Sequence, residues 1–110
     1  MEKLKIFISV DSERIDDESK ESGFRGDINV EIDGKNYHLF VYNIVSFIQE
    51  VERDITDHQF YDLMPNMIIV PEVTKENIIF TINKLYDSGF FERLTPQENI
   101  NYPKKYQINK

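Results

Sequence analysis

Residues 24–42 read FRGDINVEIDGKNYHLFVY, and this stretch decides the fold. Phe24, Gly26, Ile28, Val30 and Ile32 alternate with Arg25, Asp27, Asn29, Glu31 and Asp33, the period-two pattern of a strand with one apolar face. Asp33-Gly34 follows, a dipeptide that accepts the positive φ values of a tight hairpin turn at little cost. A two-residue loop sets Ile32 opposite Lys35, Val30 opposite Tyr37, Ile28 opposite Leu39 and Gly26 opposite Val41, so the apolar residues of both strands share a face. On the other face the same register sets His38 opposite Asn29, Phe40 opposite Asp27 and Tyr42 opposite Arg25.

Leu4, Ile6, Ile8 and Val10 show the same alternation and predict a strand before the hairpin. Residues 11–22, between the two, are polar, charged and aperiodic, and predict an acidic loop. After Tyr42 the period changes. Ile44, Phe47, Ile48, Val51 and Ile55 recur at helical spacing, with Asn43 as N-cap and Glu50, Glu52, Arg53 and Asp54 mostly outward. A loop over 58–66 leads to Met67–Val70, a short apolar strand stopped by Pro71. Thr74 then caps a second helix whose stripe is Ile78, Ile82, Leu85 and Tyr86, ended by Gly89. Phe90, Phe91 and Leu94 are expected to fold back on the core. Thr95-Pro96-Gln97-Glu98 has the form of a capping box and predicts a short helical turn, and 102–110 an extended tail. The order is β-ββ-α-β-α. It predicts one α+β domain over residues 1–110, a two-layer sandwich with a mostly antiparallel four-stranded sheet and both helices on one face.

A chain of 110 residues with 40% hydrophobic content supports one core. The absence of cysteine excludes disulfides and thiolate metal sites, as is ordinary in a reducing cytosol. The first ten residues lack the apolar core of a signal peptide, and Met67–Val70 is far too short to span a bilayer, so a soluble cytoplasmic protein is expected. A net charge of −7 disfavours nucleic acid and anionic membrane as partners and favours a basic protein. Residues 11–33 concentrate that charge, with nine acids against three bases.

If the helices cover the face bearing Ile28, Val30, Leu39 and Val41, the opposite face interleaves rings with polar groups, the usual anatomy of a protein-binding patch. The residues expected to bind a partner are Phe7, Asp27, Glu31, His38, Phe40 and Tyr42, with Asp16, Asp17 and Glu18 steering a cationic protein from the acidic segment. The alternative is that this face is covered by the acidic loop or by Tyr102, Tyr106 and Ile108 of the tail. Little supports chemistry. His38 and His58 stand far apart, and nothing local marks Ser9 or Ser46 as a nucleophile for a His38–Asp27 pair. The acids of 11–18 lack the glycine and final glutamate of a calcium loop, and Arg25-Gly26-Asp27 lies inside a strand. No catalysis, metal or cofactor is expected.

The alternating strand, Asp-Gly turn, aromatic-ended second strand and amphipathic helix of Phe24–Val51 resemble the immunity protein 8 family of bacterial polymorphic-toxin systems. Ile68-Ile69-Val70-Pro71-Glu72, followed by Thr74 and Ile78, continues that layout, so the likeness covers about two thirds of the chain. Where the family often begins its first helix with a proline-tryptophan-leucine type of sequence, this chain has Asn43-Ile44-Val45. The resemblance implies a cytosolic inhibitor that binds and neutralises a cognate toxin, commonly a nuclease with a basic cleft. Two other readings are a self-associating accessory domain, with Phe7, Phe40 and Tyr42 packed on a second copy, and an enzyme with a site around His38, Asp27 and Tyr42. As an inhibitor the chain is expected to be a monomer or weak homodimer.

Overall fold

A computed structural model of the chain describes residues 4–9, 12–97 and 105–107. In order, the elements are β1 (Leu4–Ser9), α1 (Ser12–Ser22), β2 (Phe24–Ile32), β3 (Lys35–Tyr42), α2 (Ile44–His58), β4 (Met67–Ile69), α3 (Lys75–Asp87), a 3-10 turn (Phe90–Arg93) and β5 (Lys105–Gln107). The strands form one sheet in the order β4-β3-β2-β1-β5, with β3–β4 parallel and the other pairs antiparallel. The α+β class stands. The expected sheet of β1 to β4 is present, extended at the β1 edge by three residues of the tail.

The core follows the alternation of the hairpin. Leu4, Ile6, Ile8, Ile28, Val30, Tyr37, Leu39 and Val41 are buried on one face, under Ile78 and Ile82 of α3 and Phe91 of the 3-10 turn. Thr74 caps α3, its Oγ1 accepting from the Asn77 amide at 3.3 Å, and Gly89 ends the segment at a positive φ of 82°. Residues 95–97 do not form the expected helical turn. The Gln97 amide instead donates to the Asn36 carbonyl at 2.7 Å, bridging back to β3, and the helical turn falls earlier, on Phe90–Arg93; Glu98 lies outside the described residues.

Two further differences from the sequence reading bear on the surface. Residues 12–22, expected as a loop, form α1, although few apolar residues mark a stripe on it. Its Glu, Arg and Lys content supplies helix propensity, and Gly23, at φ +79°, ends it by donating its amide to the Ser19 carbonyl at 2.7 Å. The second difference is a β-bulge. The register runs Ile28↔Leu39 and Asn29↔His38 as the turn requires, then shifts so that Arg25 faces Val41 and Phe24 faces Tyr42. Arg25, expected opposite Tyr42 on an open face, is therefore turned inward and is 2% exposed.

Gly23 also joins α1 to α2. Its carbonyl accepts from the Asn43 amide at 2.8 Å, and a Cβ at Gly23 would stand 2.6 Å from the Asn43 side chain that caps α2. Gly23→Ala is expected to cost about 2 kcal/mol, from the left-handed backbone and from displacement of the cap. Urea unfolding of the purified variant measures it.

Candidate docking surface

The residues expected to bind a partner do not make an open aromatic platform. Alternation along β3 sends Tyr37, Leu39 and Val41 into the core and His38, Phe40 and Tyr42 to the other side. Tyr42 is sealed there, at 5% exposure, with its ring 4.9 Å from Phe24 and 5.8 Å from Phe47 of α2. Phe7, His38 and Phe40 are half-buried. The Phe40 ring lies 4.6 Å from His38 and 6.3 Å from Phe24. His38 is occupied by the bulge: its Nε2 donates to the Gly26 carbonyl at 2.6 Å. Asp27 pairs with Arg25 at 2.6 Å, and Glu31 lies 3.9 Å from Lys5. Asp17 and Glu18 are exposed on α1; Asp16 is on the same helix, with its side chain outside the described residues. Of the tail residues, Tyr106 pairs through its backbone with Ile8, and Tyr102 and Ile108 lie outside the described residues.

What seals Tyr42 is α2, and its placement was not legible from its periodicity. Expected on the same face as α3, α2 instead meets the sheet through Tyr42 and contributes no residue to the core cluster. Its half-buried side is Ser46, Phe47, Glu50, Val51 and Asp54. Ile44, Val45, Ile48 and Ile55 are between 46% and 60% exposed. At about 100° per residue, the exposed apolar stripe is rotated roughly a third of a turn from the inward side. The loop after α2 adds exposed apolar residues, Phe60, Leu63 and Met64, the first two slightly more exposed than any of the helix.

A polar clamp sets this roll. The Glu50 carboxylate accepts from the Tyr42 hydroxyl at 3.0 Å and from the Tyr61 hydroxyl at 2.5 Å. The Phe47 ring fills the space between the two phenols, 5.8 Å from each ring. Asn43 fixes the start of the helix, its Oδ1 accepting from the Ser46 amide at 2.8 Å. With Glu50 held inward, the helix turns Ile44, Val45, Ile48 and Ile55 away. Tyr61 also reaches Met67 Sδ at 3.7 Å, so the 60–64 loop is tied to β4 as well.

Burial, and after it the Glu50 carboxylate, push the Tyr42 phenol up to about 12, and the same causes raise Tyr61. A phenol whose folded pKa is raised stabilises the fold fully below the ordinary value of 10, and the contribution is lost as pH climbs through about 12. Stability is therefore expected to fall above pH 10, by an amount on the order of 2 kcal/mol for Tyr42. Tyr42→Phe should flatten that part of the profile in urea titrations at increasing pH.

The segment that carries the stripe is acidic. Residues 43–66 carry five carboxylates, Glu50, Glu52, Asp54, Asp57 and Asp62, against Arg53 as their single Lys or Arg. Glu52, Asp57 and Asp62 are exposed. Among the described residues no group of His, Asp and Glu is placed to hold a metal ion, and no helix is long and apolar enough to cross a membrane. Compared with protein-family models, curated proteins and solved structures, the chain matches none.

Proposed function

We propose that this chain is a binding protein that docks a basic protein partner on the outward face of α2 and the 60–64 loop, in the manner of an immunity protein neutralising a cationic toxin. The observation that carries the reading is an amphipathic helix held with its apolar stripe toward solvent by an internal carboxylate clamp. Leaving such a stripe in water forgoes roughly 25 cal/mol for each Å² of apolar area, a cost that a partner removes. The acidic charge of this segment and of the whole chain selects that partner's sign. A cationic surface gains on approach, whereas a second copy of a chain of charge −7 would bring like charge against like charge. Asp17 and Glu18 on α1 add to the attraction at long range.

The test is co-expression with the product of the neighbouring gene, which the reading requires to be a basic, toxic protein. Relief of that protein's toxicity, together with a complex that weakens as salt rises, is the expected result. A neighbour that is not basic, or that is neither bound nor neutralised, overturns the reading. Sedimentation of the chain alone is expected to give a monomer, and a tight dimer would transfer the α2 face to self-association.

A further inference from the structure

Met67 holds the loop after α2 through its sulfur. Ile68 is buried in the core, so alternation turns the Met67 side chain to the other side of the sheet, where Tyr42 meets α2. There its Sδ accepts from the Met64 amide at 3.4 Å and from the Tyr61 hydroxyl at 3.7 Å. The same hydroxyl donates to Glu50 Oε2 at 2.5 Å, so the sulfur touches the clamp that sets the roll of α2.

This contact tolerates a thioether and little else. A sulfoxide oxygen takes the place of one sulfur lone pair, and a donor already stands before the sulfur on two sides. Oxygen inserted toward a donor now 3.4 or 3.7 Å from the sulfur would leave less than the ~2.5 Å at which the shortest hydrogen bonds to oxygen form. Either epimer therefore drives Met64 or Tyr61 away. Met64 differs: it is 44% exposed, and a sulfoxide there is hydrated without moving the fold.

We infer that Met67 is a redox modification site, at which a peroxide converts the thioether to the sulfoxide, holds the 60–64 loop open and takes Tyr61 off Glu50. A sulfur lone pair attacks one peroxide oxygen, the S–O bond forms and the O–O bond breaks. The departing hydroxide takes the proton of the transferred oxygen and leaves as water, so two electrons pass from sulfur to peroxide. With both donors in place the sulfur is screened, and attack waits for the loop to lift. Once formed, the sulfoxide prevents the loop's return. Glu50 then keeps Tyr42 alone of its two phenol donors, and Phe60 and Leu63 shift relative to the α2 stripe. The movement stands on the geometry at Met67, and only its effect on a partner rests on the docking reading.

Dilute hydrogen peroxide on the full chain, with no partner present, tests it. Peptide mass mapping places each sulfoxide, and amide chemical shifts report the loop. In Met64→Leu, Met67 is expected to oxidise roughly tenfold more slowly than Met64 does in Met67→Leu, because Met67 is the less exposed. Formation of the Met67 sulfoxide should shift the amides of residues 61–66 and of Glu50, and let Tyr61 ionise closer to the ordinary phenol value of about 10. In Met67→Leu the same peroxide should leave α2 unchanged. Met67 sulfoxide formed with the loop and Glu50 unmoved overturns the proposal. So does a Met67 that stays reduced after about ten times the exposure that exhausts Met64. Shifts that spread to Ile28 and Leu39 would mean unfolding of the core in place of loop release, and overturn it as well.

Discussion

Replacing Asp27 by Asn is expected to lower the stability of this protein by about 3 kcal/mol, measured by urea unfolding at neutral pH. Arg25 and Asp27 flank Gly26 in the bulge, and the bulge turns the Arg25 side chain inward to 1% exposure. Two hydrogen bonds join the pair, Nε to Oδ1 at 2.6 Å and Nη2 to Oδ2 at 3.2 Å. Asparagine keeps the shape and removes the charge. The guanidinium cannot neutralise itself by losing a proton, so the change takes a charged partner away from a cation whose side chain is 1% exposed. A double-variant cycle separates this cause from simple loss of packing. Arg25→Met in the Asp27→Asn background should recover part of the lost stability, because an apolar chain of similar length has no charge to strand. A cost below about 1 kcal/mol, or no recovery, would assign the stability of the bulge to its backbone alone.

Under the proposed docking role, Ile48→Lys is expected to act on the complex with the basic partner and not on the fold. Ile48 is 46% exposed near the middle of the outward stripe, and Glu52 lies one turn along to pair with the new cation. Unfolding free energy should stay within about 0.5 kcal/mol of the parent. Dissociation of the basic partner should accelerate roughly a hundred-fold, since the change removes an apolar anchor and sets a cation against a cationic surface. Glu52→Lys, at an exposed position of the same helix, should instead slow association and reduce its salt dependence, with a smaller effect on dissociation. An Ile48→Lys complex that dissociates at the parental rate would remove α2 from the interface.

Much of the architecture could be read from local pattern. The Asp33-Gly34 turn and the alternation beside it place Ile28, Val30, Leu39 and Val41 in the core, and the register next to the turn is as the loop length requires. Asn43 and Thr74 cap the helices that follow them, and Gly89 takes the left-handed backbone at the end of the second. Residues 12–22 escaped because a helix was sought by its apolar stripe, and this one is almost wholly polar. Its propensity and the glycine after it were the available signals. The bulge escaped because alternation continues through Arg25, Gly26 and Asp27 as though pairing were regular. The expected open aromatic face changes with it: Asp27 and His38 are committed to the bulge, and Tyr42 is sealed separately, by α2.

Sequence alone determined which residues are apolar, where the hairpin turns, where the two helices after it begin, and that the chain carries a net charge of −7. Those properties belong to single residues and their near neighbours. Tertiary structure alone decided that the stripe of α2 faces outward. Periodicity reports that one side of a helix is oily but not what lies opposite it. Here the roll of the helix is set by Tyr42 and Tyr61, eight and eleven residues from the carboxylate they hold.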